Sequence, residues 1–232
     1  MSAIAIIPAR GGSKRIPDKN IKLFAGKPII AYSIEVAKAA KLFDRIVVST
    51  DSERIANIAK AFGAEIPFMR PSELSDDYTD TDSVILHTLQ NFSMKNQLFD
   101  YVCCIYATAP FLRASYLIQG FELLKSHKLT SVFSVTTFSY PIFRALKLNE
   151  SERIEMFWPE NLKKRSQDLP EAYHDAGQFY WAKVNKYQKD RRFFSNDAKP
   201  VIIPRKLVQD IDTPEDWENA ELMHCLLFQN KK

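Results

Sequence analysis

Residues Pro8-Ala9-Arg10-Gly11-Gly12-Ser13-Lys14-Arg15-Ile16-Pro17-Asp18-Lys19-Asn20 bring the ingredients of an anion site into one short segment. The chain holds six glycines, and two of them fall side by side here, where backbone N–H groups can turn inward with no side chain in the way. Arg10, Lys14 and Lys19 add charge. A guanidinium fork takes two phosphate oxygens and an ammonium acts as a mobile point charge, a combination that suits a triphosphate better than a single carboxylate. The spacing fits neither established nucleotide loop: Gly11-Gly12 lacks the third glycine of G-x-G-x-x-G, and Gly26-Lys27 is followed by Pro28 rather than Ser or Thr. On charge alone, a solvated basic turn explains the segment equally well.

At the other end of the chain, Asp210 and Asp212 alternate around Ile211. On extended backbone both carboxylates point to one side, which makes half of a magnesium site. Magnesium takes one or two carboxylates and completes its octahedron with phosphate oxygens and water. The competing reading has Asp210 in a turn and Asp212 in solvent, since Thr213-Pro214 already accounts for a helix start. Arg70-Pro71 closes a short apolar run, where open parallel sheets collect ligand contacts. Ser83 either hydrogen-bonds a ligand or caps its own helix, and Asp51, ahead of Ser52-Glu53, reads as a cap. His87, His127, His224 and Cys225 have no partner at motif spacing and read as packing residues, as do the adjacent Cys103 and Cys104 in their apolar run.

These groups need a scaffold. Apolar runs at 3–7, 45–49, 65–68, 101–106 and 131–137 read as strands, and helical spacing covers 28–41, 52–62, 81–95 and 114–125. Such alternation implies a mostly parallel sheet with helices on both faces. The rhythm breaks over 138–170, too long for an ordinary connection, with Phe138, Tyr140, Phe143, Phe157 and Trp158 and the basic run Lys163-Lys164-Arg165. That segment reads as a partner-facing insertion that also reaches the substrate. The alternating pattern resumes at 178–183 and 200–204, and a helix over 214–228 ends the chain.

The chain has 232 residues, 46% hydrophobic and 26% charged, enough for one sizeable core and unlike a disordered or collagenous sequence. Its apolar runs are far shorter than the ~20 residues of a membrane helix, and the N-terminus lacks a charged region ahead of an apolar stretch, so a cytoplasmic location is expected. The net charge is +4, and the first fifty residues hold nine Lys or Arg against Asp18, Glu35 and Asp44. Those cations sit in a loop without interleaved aromatics, which argues against nucleic acid as a partner.

The glycine loop, Val47-Val48-Ser49-Thr50-Asp51, Gln167-Asp168-Leu169-Pro170 and Asp210-Ile211-Asp212-Thr213-Pro214-Glu215-Asp216-Trp217 occur in one order, and this resembles the CMP-sialate synthetase family over residues 3–221. The resemblance implies an α/β fold: a three-layer, Rossmann-like nucleotide-diphospho-sugar transferase fold with a mostly parallel central sheet. It also implies a single domain over 1–232 with a small dimerisation insertion at 138–170, and a homodimer. The implied reaction joins CTP and a sugar acid, releases pyrophosphate and uses Mg2+. Ala9, Arg10, Gly11, Gly12, Ser13, Lys14 and Lys19 would line the nucleotide, Asn20 would read the cytosine edge, and Arg70 and Ser83 would lie near base and ribose. Arg10, Lys14, Lys19, Asp210 and Asp212 would act in catalysis, the two aspartates through the metal. For the sugar the resemblance implies Tyr106, Thr108, Arg165, Gln167, His174 and Gln178. Tyr106 stands where N-acetylneuraminate members carry glutamine, and His174 where many carry a carboxylate-binding arginine, a role that passes to Arg165 or Lys164. Ser13-Lys14-Arg15-Ile16-Pro17 and residues 173–180 match best the members that act on a nine-carbon acid ending in a deoxy carbon, pseudaminic acid.

Overall fold

The computed structural model describes residues 1–126 and 128–229, so His127 lies outside the described residues. In chain order the strands and helices are β1 (Ala3–Pro8), β2 (Leu23–Phe24), β3 (Lys27–Pro28), α1 (Ile29–Ala40), β4 (Arg45–Ser49), α2 (Glu53–Ala61) and α3 (Thr81–Ser93). There follow β5 (Tyr101–Ile105), α4 (Ala114–Ser126), β6 (Ser131–Thr137), β7 (Leu146–Leu148), β8 (Ile154–Met156), β9 (Tyr173–Lys183), α5 (Val184–Asp190), β10 (Lys199–Ile202) and α6 (Pro214–His224).

Six strands form one sheet in the order β10-β6-β9-β5-β1-β4. β1 runs parallel to β4 and β5, and β10 parallel to β6, while β9 is antiparallel to both its neighbours. The strands are apolar on both faces because helices cover both. Ala3, Ala5 and Ile7 of β1 pack with Ile30 and Ile34 of α1 and Leu117 of α4. Ile4 and Ile6 point the other way, onto Ile85 and Leu89 of α3 and Tyr187 of α5. The same two-residue period sends Cys103 to one layer and Cys104 to the other, and burial pushes both thiols well above their ordinary range. The expected three-layer α/β architecture is therefore present.

Two expectations change. Residues 65–68 form no strand; a single parallel bridge joins Val47 to Glu65, because Pro67 and the Arg70-Pro71 step break the ladder beyond it. β9 begins five residues earlier than expected, at Tyr173, and its register on β6 slips between Phe133 and Val135. The Ser134 hydroxyl covers the slip, accepting hydrogen bonds from the Gln178 and Phe179 N–H groups at 3.3 and 3.2 Å. Gly177, at φ 61°, supplies the left-handed residue that the irregularity needs.

Residues 138–170 leave the sheet as three short 3-10 turns and the β7–β8 hairpin. Among the described residues, no helix is long and apolar enough to cross a membrane.

Candidate active site

The glycine loop leaves the C-terminal end of β1, where the parallel strands end. Ala9 stays tied to the sheet through its N–H to the Ser49 carbonyl, 2.9 Å. Gly11 donates its N–H to the Asp51 carboxylate at 2.8 Å, and a Cβ there would lie 3.1 Å from the Ser52 Cβ, a contact so tight that a side chain would require the loop or Ser52 to shift. Gly12 faces open space and leaves backbone exposed to a ligand. The buried Asn20 closes the loop by donating from Nδ2 to the Arg10 carbonyl at 2.9 Å. Asp51 thus organises the loop, and Ser52 caps α2 by accepting from the Ile55 N–H; the expected capping role of Asp51 is corrected, because the cap position falls on Ser52 and the Asp51 carboxylate takes the Gly11 N–H instead.

The loop cations meet carboxylates from two directions. Arg10 and Lys14 converge on Asp77 at 2.7 and 2.5 Å, and Arg10 also donates to the Asp76 carbonyl at 2.6 Å. Arg15 and Lys19 converge on Asp212 at 3.0 and 3.3 Å, and Lys19 donates to the Ile211 carbonyl at 2.7 Å. Segments 192 residues apart in sequence therefore share one site.

A capping box holds the acidic segment in place. Thr213 caps α6 by accepting from the Asp216 N–H, while the Asp216 carboxylate accepts from the N–H groups of Thr213 and Asp212 at 2.8 and 3.1 Å. Ile211 is buried, whereas Asp210 is exposed and Asp212 half-buried, a burial pattern that alternates along the segment. Partial desolvation, followed by the like charge of Asp212, raises the Asp210 pKa, with Lys19 opposing. Among the described residues, no group of three or more His, Cys, Asp or Glu side chains forms a metal cage. The pair offers hard oxygen donors, the chemistry that a magnesium ion shared with phosphate requires.

Between loop and α3 lies a cleft of about 270 Å³. Arg10, Lys19, Asn20, Arg70, Thr81, Tyr106 and Thr108 line it. The Arg70 guanidinium is buried, with the residue 6% exposed, yet its Nε and Nη2 have no hydrogen-bond partner, and the nearest carboxylate, Asp51, is 3.8 Å away. Burial lowers its pKa; the charge of Asp51 opposes that shift and Arg10 adds to it. Orphaned charged donors in a wall are costly until a ligand satisfies them. Tyr106 places its hydroxyl 3.3 Å from Thr81 Oγ1, and burial raises its pKa.

Other expected residues lie elsewhere. Ser83 is absent from the cleft lining and is no cap: Asp80 caps α3 and accepts the Ser83 N–H at 2.6 Å. Gln178 is buried behind the site, its Nε2 donating to the Leu207 carbonyl and its Oε1 unpartnered. Arg165 is locked in a two-point pair with Asp168 at 2.7 and 3.0 Å. Gln167 lines a surface pocket with Thr137 and Arg205. His174 lines a cavity of about 930 Å³ against Phe138 and Tyr140. The sugar set expected from the sequence therefore splits: Tyr106 and Thr108 face the cleft, whereas Arg165, Gln167 and His174 lie with the insertion. The insertion departs from β6 after Thr137, and none of these three residues is among those that line the cleft.

Asp77, Arg15 and Thr81 were not expected at the site. Arg15 lies in the glycine loop itself, and the trace of Asp77 in the sequence is the acid-rich stretch Ser75-Asp76-Asp77-Tyr78-Thr79-Asp80 just ahead of Thr81, which has no motif spacing of its own.

Comparison with known proteins places the chain in a family. The family model for cytidylyltransferases matches residues 4–231. The chain is 45% identical over 224 residues to the pseudaminic acid cytidylyltransferase of Campylobacter jejuni subsp. jejuni strain 81-176, covering 97% of each chain. It is 34% identical to the CMP-N,N'-diacetyllegionaminic acid synthase of Legionella pneumophila, covering 95% of each. Among solved structures, a CMP:2-keto-3-deoxy-manno-octonic acid synthetase complexed with CTP superposes with a TM-score of 0.71 at 16% identity, covering 97% of this chain and 99% of the other, a likeness of fold. The phosphate-suited loop, the aspartate pair that meets it and a match over nearly the whole chain make this protein a member of the cytidylyltransferase family.

Proposed function

We propose that this chain transfers CMP from CTP to the anomeric hydroxyl of pseudaminic acid, giving CMP-pseudaminic acid and pyrophosphate, with magnesium as cofactor. The observation that carries this reading is the junction at Asp212, where the anionic segment meets Lys19 and Arg15 beside a cleft lined by Arg70, whose buried Nε and Nη2 make no hydrogen bond. The choice of sugar acid is supported by the identity to the Campylobacter enzyme.

The Gly11 and Gly12 backbone approaches the triphosphate, and Arg10, Lys14 and Lys19 offset the charge that builds on the departing phosphates. Asn20 keeps the loop closed and, with Arg70, faces the base. Asp210 and Asp212 would hold magnesium, which when bound supplies charge neutralisation at the phosphates and the leaving group. Tyr106 and Thr108 bound the end of the cleft where the sugar enters. A phenol in place of an amide suits a deoxy carbon better than a full glycerol tail. The insertion at 138–170, with Tyr140 84% and Ile154 70% exposed, is assigned to a homodimer contact. The CTP requirement fits a cytoplasmic location.

The test is incubation of the protein with CTP, magnesium and a panel of sugar acids: pseudaminic, legionaminic, N-acetylneuraminic and 3-deoxy-manno-octulosonic. Pyrophosphate release and the mass of the product are followed. Turnover with pseudaminic acid is the expected result. Release with another acid and none with pseudaminic acid overturns the sugar assignment, and no release with any of them overturns the activity.

A further inference from the structure

All the loop cations that would meet a triphosphate are held by carboxylates, and one of those carboxylates, Asp77, belongs to neither the aspartate pair nor the glycine loop. Asp77 is presented by a built turn. The preceding Asp76 folds its own carboxylate back onto the Thr79 N–H at 2.7 Å, the Tyr78 N–H at 3.1 Å and the Thr79 hydroxyl at 2.6 Å. With Asp76 turned inward, its backbone carbonyl receives Arg10 and its neighbour points at the loop. The two Asp77 oxygens then divide between two cations, Oδ1 on Arg10 and Oδ2 on Lys14. The bonds to Lys14 and Arg10 hold the Asp77 carboxyl below its ordinary range, so it is an anion at any working pH.

An anion whose two oxygens take one guanidinium and one ammonium stands in for a phosphate group. We propose that Asp77 is an internal counter-anion of the phosphate site, competing with CTP for Arg10 and Lys14 and recapturing them as pyrophosphate departs. The inference rests on the nucleotide reading of the site given above. It makes Asp77 a positioning residue that acts through the two cations. Because the cations already have a partner, triphosphate binding is an exchange of anions, and the leaving pyrophosphate faces a rival for the same groups.

The experiment compares wild type, D77N and D77E by calorimetric titration with CTP and with inorganic pyrophosphate, at low and high salt, with thermal melts as the check on folding. D77N is isosteric and cannot repel a phosphate, so its affinity for both probes should rise roughly threefold to tenfold, the range expected from losing two partly exposed ion pairs. D77E should lie near wild type. The difference between wild type and D77N should shrink as salt screens both competitors, a behaviour that a purely structural role of Asp77 would not produce. In turnover, D77N should lower the KM for CTP and strengthen inhibition by pyrophosphate. Equal or weaker binding of CTP and pyrophosphate by folded D77N overturns the proposal. Should D77N melt early, D77S, titrated at a temperature where it is folded, carries the same expectation and the same refutation. A wild-type chain that binds no CTP overturns the proposed function and this inference with it, whereas a wild type that binds CTP as tightly as D77N overturns this inference alone.

Discussion

The nucleotide end of the molecule and the insertion at 138–170 differ in how completely one chain satisfies them. Around the glycine loop nearly every polar group has a partner: Gly11 on Asp51, Asn20 on Arg10, Arg10 and Lys14 on Asp77, Arg15 and Lys19 on Asp212. Arg70, which lines the cleft, is an exception: its buried Nε and Nη2 make no hydrogen bond among the described residues. In the insertion the imbalance is apolar. Leu146, Leu148, Ile154, Phe157 and Leu162 are all more than half exposed on short turns and a two-strand hairpin. In the first region the charges are matched within one chain. The second has more apolar surface than its own turns can bury, and two strands alone make a marginal unit in water.

The contrast can be broken most forcefully at the nucleotide end. Replacing Asp212 by Ala should lower the rate of pyrophosphate release on the order of 100-fold or more, because charge stabilisation of the leaving group depends on it. The melting temperature should stay within a few degrees, since Asp212 is partly exposed and its ion pairs lie at the surface. A variant with unchanged turnover would remove Asp212 from the metal site.

Arg70 separates binding from stability. Arg70→Met should weaken CTP binding about tenfold to a hundredfold, the worth of one to two hydrogen bonds from a charged donor. The same change should leave folding stability equal or raise it by about 1 kcal/mol, since it replaces a buried, under-satisfied charge with an apolar side chain of similar length. Titration and chemical denaturation measure the two effects. A strong loss of stability would mean that the guanidinium is satisfied within the fold.

At the insertion, Ile154→Asp should shift the monomer–dimer equilibrium about tenfold or more toward monomer in sedimentation velocity, with CTP binding retained. No shift would place the dimer contact elsewhere.

The smallest effect concerns Asp210. Its folded-state pKa is raised, so the folded chain binds its proton more readily than the unfolded chain, and ionisation of Asp210 destabilises the fold as pH rises through that pKa. D210N should therefore melt slightly higher than wild type near neutral pH, and the gain should begin to shrink as the pH falls through the raised pKa and vanish below the ordinary carboxylate range. A gain that persisted in acid would have another origin.

Much of this was legible in the sequence because it is local. Paired glycines before Lys14 mark a cradle wherever the chain goes, and alternation around Ile211 puts Asp210 and Asp212 on one side of any extended segment. Thr213-Pro214 with Asp216 specifies a helix start from adjacent residues, and it is observed. What failed depended on distant partners. Asp51 looked like a cap until the glycine loop supplied it with a donor 40 residues away. Ser83 looked like a cap or a ligand contact until Asp80 took the first role and the cleft lining passed it by. Residues 65–68 have strand-like composition, but the single bridge at Glu65 is all that β4 accepts.

By itself the sequence determined the order of the layers and the kinds of chemical group that could meet a nucleotide, because two-residue and helical periodicities act within a few residues. The tertiary structure alone decided which charges face one another. Asp77 on Arg10 and Lys14, Asp212 on Lys19 and Arg15, and the burial of Arg70 without a hydrogen bond to Nε or Nη2 all follow from where loops settle after the sheet has formed. Ion pairs across a cleft leave no periodic trace, because only the folded sheet brings together residues so far apart in sequence.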